Sequence, residues 1–178
     1  MRIISGTHKS RRLNPPKNLP VRPTTDLAKE SLFNVLHNLV DFSELNILDL
    51  FAGTGSLSFE FASRGCISVI SMDQNFKCVD YIRKTANDLG FKNIKTIKAD
   101  VFKSLKSNNY SFDLIFADPP YDLNWIDQIP DMIFTKGWLN KNAWLIVEHP
   151  GDVDFTRHEF FIQKRVYGRV NFSFFKND

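Results

Sequence analysis

Five short apolar runs set the strongest limit on how this chain can fold. They fall at 47–50, 68–72, 94–97, 113–117 and 143–147, and segments of helical character at 57–62, 76–89, 101–105 and 125–134 separate them. Strands buried on both faces read as continuous apolar runs rather than as alternating ones. Parallel neighbours cannot be joined by a tight turn, and the usual crossover is a helix. The pattern predicts an α/β, Rossmann-like fold with a mostly parallel sheet covered on both faces. The end of the chain breaks the alternation. Runs at 160–166 and 170–175 are separated only by Tyr167-Gly168-Arg169, so they form an antiparallel C-terminal hairpin.

The front of the chain has another character. Arg2-Ile3-Ile4 and Arg11-Arg12-Leu13 flank Gly6-Thr7-His8-Lys9 and predict a small β-hairpin, and the proline-rich stretch 15–23 reads as extended linker. A helix follows, capped by Thr24 or Thr25, with Asp26 in its first turn and Ala28, Leu32, Val35, Leu36 and Leu39 on its apolar stripe. Residues 1–23 are expected to form a basic extension and residues 24–178 the main domain. Net charge is only +3, but Arg2, Lys9, Arg11, Arg12, Lys17 and Arg22 all precede the first acid, Asp26. Such an arm can neutralise several phosphates of a nucleic acid; otherwise it is a solvated, charged edge hairpin. Arg165 and Arg169, with Lys164 and Tyr167, place a second basic group on the terminal hairpin.

With 178 residues and 43% hydrophobic content, the chain can build a full core. No apolar stretch approaches a membrane span, and the N-terminus carries no signal-peptide apolar region. Cys66 and Cys78 form no CxxC pair. A cytoplasmic setting is expected.

The chemistry concentrates where the strands end. Asp49-Leu50-Phe51-Ala52-Gly53-Thr54-Gly55 joins the first central strand to its helix, and the glycines permit close approach of a ligand. Asp73 ends the next strand, where a carboxylate can meet a ribose diol, and Asp100 with Val101 follows the third. The third glycine of a dinucleotide fingerprint would fall at Ser58, so that fingerprint is incomplete. Asp49 before the loop suits an ammonium group better than a pyrophosphate, which favours S-adenosylmethionine. After the fourth strand come Asp118-Pro119-Pro120-Tyr121. Asp118 and the Pro119 carbonyl can each accept a hydrogen bond from an exocyclic amino group, and Tyr121 can stack on the base. Two acceptors on one side favour a pyramidal nitrogen whose lone pair faces the incoming methyl. These four residues do not choose between guanine and adenine. A base must leave its stack to enter such a site, so single-stranded or loop RNA is the expected form.

The glycine loop and Asp118-Pro119-Pro120-Tyr121, taken with Arg22-Pro23-Thr24-Thr25-Asp26 and Arg2-Ile3-Ile4-Ser5-Gly6, resemble the RsmD family of guanine-N2 methyltransferases of small-subunit ribosomal RNA. The resemblance spans essentially the whole chain. It implies a class I methyltransferase sheet of seven strands, one antiparallel, behind a small N-terminal hairpin. It implies S-adenosylmethionine as cofactor, S-adenosylhomocysteine as product and no metal. Asp49, Gly53 and Gly55 would hold the methionine portion, Asp73 the ribose, and Asp100 with Val101 the adenine, and Phe51 would also bind the cofactor. Thr24 and Thr25 would lie near the cofactor carboxylate, and Asp118, Pro119 and Tyr121 would act on the base. The implied partner is 16S ribosomal RNA, in a small subunit or assembly particle, bound by a monomer with Arg2, Lys9, Arg11, Arg12, Arg22, Arg165 and Arg169. Two positions depart from the family pattern: Asp73 replaces a common Glu, and Ser58 a small or glycine residue. The competing readings are an adenine-N6 methyltransferase of DNA or RNA, a non-catalytic RNA-binding assembly factor and a nicotinamide oxidoreductase.

Overall fold

The computed structural model describes residues 1–16, 19, 26–107 and 110–178. Thr24, Thr25 and Arg22 lie outside the described residues, as does Lys17. Helix α1 spans Asp26–His37; Ala28, Leu32 and Leu36 of the predicted stripe are buried, Val35 and Leu39 are half-buried, and Phe33, outside the stripe, is buried as well. Five parallel strands then alternate with helices: β1 (Asn46–Leu50), α2 (Ser56–Ser63), β2 (Ser68–Asp73), α3 (Phe76–Leu89), β3 (Ile94–Lys98), α4 (Val101–Leu105), β4 (Phe112–Ala117), α5 (Ile129–Thr135) and β5 (Leu139–His149). The chain closes with β6 (Phe161–Tyr167) and β7 (Val170–Lys176). Strand order is β3-β2-β1-β4-β5-β7-β6, with β7 antiparallel to both of its neighbours.

Side chains alternate across each strand, so the sheet has two apolar faces. Ile47, Leu114, Phe116, Ile146 and Phe174 pack with α1 and α2 on one face. Leu48, Leu50, Ile115, Leu145 and Phe175 pack with α4 and α5 on the other. Central strand β1 lies between β2 and β4, with Leu50 opposite both Met72 and Ala117. The carboxyl ends of the central strands therefore form one edge.

Two elements differ from the sequence expectation. The helix expected at 125–134 is a 3-10 turn, Ile126–Gln128, followed by α5 with Pro130 in its first turn. Proline fits a first turn but disrupts a helix interior, so the helix starts afresh there. Strand β5 is longer than 143–147. Its first residues pair with β4 before a bulge at Asn142, whose positive φ of 62° an asparagine tolerates.

The N-terminal hairpin is a single bridge, Arg2 to Arg12, extended by Ile3 N–H to Arg11 O and Leu13 N–H to Met1 O, both at 3.0 Å. Ile3 and Leu13 belong to the main core. The hairpin lies along α2, every residue of which is buried. At one end Thr7 N–H donates to Ser63 O at 2.8 Å, and Gly6 approaches so closely that a Cβ would stand 1.8 Å from that oxygen. At the other end Lys29 Nζ joins Arg2 O to Ser56 Oγ. Midway, fully buried Glu60 accepts Ile4 N–H at 2.7 Å, Ser5 N–H at 3.0 Å and Arg64 Nε at 2.9 Å.

Candidate active site

The turn after β1 is built from backbone that most residues avoid. Phe51, Gly53 and Gly55 have φ of 61°, 54° and 74°. Glycine adopts that region without steric cost, whereas Phe51 does not. The turn is held by Ala52 N–H to Met72 O at 2.9 Å, Gly55 N–H to Ala52 O at 2.7 Å and Gly53 N–H to Asp73 Oδ2 at 2.9 Å. Asp73 thus supports the loop from β2. Its Oδ1 accepts Asn75 N–H at 2.7 Å, and each oxygen keeps a further lone pair for a ligand hydroxyl. Gly55 has a second constraint, because a Cβ there would stand 2.8 Å from Ile82 Cγ1.

Asp49 is buried and accepts a hydrogen bond from Ser58 Oγ, which itself accepts from Ser71 Oγ at 2.7 Å. The serine that breaks the dinucleotide fingerprint therefore orients the acid before the loop. Burial pushes the Asp49 carboxyl up to about 7, against the pull of the Ser58 hydrogen bond. Asp118 follows β4 and is half-buried. Enclosure raises its carboxyl well above the usual range, and Glu148 and Asp49 add to the effect. The proline turn after it is closed by Leu123 N–H to Pro120 O at 3.0 Å. Tyr121 keeps an exposed ring, and its hydroxyl donates to Glu148 Oε1 at 3.1 Å. Burial is the main reason that this phenol is raised, with the Glu148 charge second.

Glu148, at the end of β5, was not among the residues expected from sequence. It is buried, its Oε2 has no hydrogen-bond partner among the described residues, and burial pushes its carboxyl up to about 7. The signal was available: an acid also follows the apolar runs that precede Asp73, Asp100 and Asp118. Phe102 and Trp125 were missed as well. Their rings lie 4.9 Å apart, and Phe51 and Trp125 lie 6.0 Å apart, making an aromatic wall beside the loop. Asp100 is exposed and caps α4, accepting Lys103 N–H at 3.1 Å, while Val101 is buried behind it. The basic residues split between two places. Arg2, Lys9, Arg11 and Arg12 are exposed on the hairpin, with Arg2 paired to Asp26 at 3.1 Å, and Arg165 and Arg169 are exposed on β6 and its turn.

Asp49, Asp73, Asp118 and Glu148 share one sheet face at one edge, and none has a salt bridge among the described residues. A cation brought to such an edge favours the ionised form of its buried carboxyls, and a pyrophosphate would oppose it. The acids and the aromatic wall fit an adenine nucleoside bearing ammonium and sulfonium charges. A separate cavity of about 560 Å³, lined by Asp127, Asp131, Phe134, Asp154, His158 and neighbours, contains none of these groups.

Comparison with known proteins places the chain in a family. The family model described as conserved hypothetical protein 95 matches residues 1–176. Ribosomal RNA small subunit methyltransferase D of Haemophilus influenzae is 31% identical, over 99% of this chain and 94% of that protein. The solved structure of yhhF from Escherichia coli has a TM-score of 0.87 at 23% identity, covering 100% of this chain and 98% of that one. SMU.776, a structure complexed with SAH, has a TM-score of 0.65 at 17% identity, covering 85% of this chain and 50% of that one. The two solved structures share the fold. The chain belongs to the conserved hypothetical protein 95 family, the RsmD family that contains ribosomal RNA small subunit methyltransferase D.

Proposed function

We propose that this protein transfers a methyl group from S-adenosylmethionine to the exocyclic N2 of a guanine in 16S ribosomal RNA. The observation that carries the reading is the acid edge: Asp49, Asp73, Asp118 and Glu148, with no salt bridge among the described residues, around the Asp118-Pro119-Pro120-Tyr121 turn. The name of the Haemophilus influenzae relative supports a ribosomal RNA substrate. When bound, the sulfonium cofactor supplies an activated methyl group. Asp49, Gly53 and Gly55 hold its methionine portion, Asp73 its ribose, and Val101 with the Phe51–Trp125 wall its adenine. Tyr121 stacks on the flipped base, and the hydrogen bond to Glu148 fixes the tilt of its ring. Asp118 accepts one N–H of the amino group and the Pro119 carbonyl the other. The nitrogen lone pair is thereby turned toward the methyl carbon, and alignment supplies most of the rate. The raised carboxyl of Asp118 can take the amino proton once the C–N bond has formed.

Residues 1–23 act as the RNA-contacting extension of a catalytic domain spanning 24–178. The Arg2 and Arg12 end of the hairpin lies beside the loop, because Met1 Sδ contacts Thr54 Oγ1 at 3.3 Å. Among the described residues no helix is long and apolar enough to cross a membrane. The protein works as a cytoplasmic monomer on a small-subunit or assembly particle. Asp118→Ala should keep S-adenosylhomocysteine binding within about 3-fold and lower methyl transfer at least about 100-fold. Wild-type transfer by that variant to unmethylated small subunits would refute the mechanism.

A further inference from the structure

Asp118 and Glu148 stand side by side. Ala117 pairs with Val147 across parallel β4 and β5, so the next residue of each strand falls on the same face. Neighbouring strands lie about 4.8 Å apart. Tyr121 occupies Glu148 Oε1 and sets the plane of that carboxylate. Oε2 is left buried, with no hydrogen-bond partner among the described residues. A buried acceptor in that condition is costly unless a donor reaches it. The bases differ in what they bring. On its Watson–Crick edge guanine presents two adjacent donors, N1–H and the exocyclic amino group. Adenine presents an amino group beside N1, which is a bare acceptor. Asp118 alone can hold either amino group, whereas a second carboxylate beside it suits only guanine.

We infer that Glu148 reads the base: its Oε2 accepts the N1–H of the target guanine while Asp118 accepts the amino group. The inference rests on the guanine-N2 reading above and assigns the residue that makes it guanine. An adenine in the same pose directs its N1 lone pair at the carboxylate, and the repulsion rejects it.

The test begins by mapping the nucleoside that the wild-type protein methylates in undermethylated small subunits. The mapped guanosine is then replaced with 2-aminopurine riboside, which keeps the 2-amino group and lacks N1–H. Wild-type kcat/KM should fall about 10- to 100-fold on the replaced target, the range for a hydrogen bond to a charged group. Glu148→Gln can accept the Tyr121 hydroxyl through its carbonyl and turn its amide N–H toward N1. It should lose activity on guanosine and bring the two substrates within about 3-fold of each other. Tyr121→Phe removes the hydrogen bond that holds the Glu148 carboxylate and keeps the ring and the charge, so it should narrow the preference less than Glu148→Gln does. S-adenosylhomocysteine titration confirms that each variant is folded. If Glu148→Gln weakens both substrates equally, the residue only positions Tyr121 and the inference is overturned while the guanine reading stands. If the wild-type product is N6-methyladenosine, the guanine reading fails and the inference with it.

Discussion

Glu60→Ala removes the group on which the N-terminal hairpin, α1 and α2 converge. Glu60 is 0% exposed and Lys29, its ion-pair partner at 3.8 Å, is 1% exposed. Burial lowers the Lys29 ammonium, and the Glu60 charge opposes that shift. Breaking a buried pair from one side leaves an uncompensated charge, at about 3–5 kcal/mol. The amides of Ile4 and Ser5 also lose their acceptor, although undocking of the hairpin lets water replace it. We expect about 4 kcal/mol, against total stabilities of about 5–15 kcal/mol. At about 2–4 °C per kcal/mol for a chain of this size, Tm falls by about 8–16 °C. Lys29→Met should cost less, about 1–2 kcal/mol, because Glu60 keeps Arg64 and both amides. Urea unfolding followed by circular dichroism measures both variants, and hydrogen exchange at Ile4 and Ser5 reports the local loss. A Glu60→Ala cost below about 1 kcal/mol, or one no larger than that of Lys29→Met, would refute this account.

Two further outcomes follow from the charge layout. Replacing Arg11 and Arg12 with Ala should weaken RNA binding and reduce the slope of log K against log salt by about 1–2, as measured by filter binding; an unchanged slope removes the hairpin from the RNA interface. Glu148 has a carboxyl raised from 4.5 to about 7. The folded state therefore holds its proton more tightly than the unfolded one, so this stabilising contribution is complete below about pH 4.5 and is lost as pH rises to about 7. Glu148→Gln should match the wild type near pH 5 and be more stable at pH 8, by about 2–3 kcal/mol at most. Parallel stability curves from denaturant titrations would contradict the burial argument.

The parallel core was legible because buried strands leave continuous apolar runs such as Leu114 to Ala117, and Tyr167-Gly168-Arg169 is too short for a crossover. Asp49, Asp73 and Asp118 could be found because each lies at the carboxyl end of an apolar run, Asp49 ahead of a glycine loop and Asp118 ahead of two prolines. Glu148 also follows such a run, with Pro150 and Gly151 behind it, but that pattern alone reads as an ordinary strand end. Its meaning comes from register, since Ala117 meets Val147 only after β5 has joined the sheet. The Ser58 bond to Asp49 was hidden for a similar reason, because nine positions of chain separate two side chains that a helix and a strand bring together. The reach of β5 to Leu139 depends on a bulge at Asn142, and no periodicity in the sequence marks it.

The docking of the hairpin along α2 also bears on the order in which the protein matures. Ile4 and Ser5 wait for an acceptor 56 and 55 positions downstream. At translation rates of about 5–20 residues per second, the basic segment spends roughly 3–11 s without that acceptor. During that interval the two amides can pair only with water, so the hairpin docks after α2 has emerged and not before. The first residues synthesised are thus among the last to take their final place.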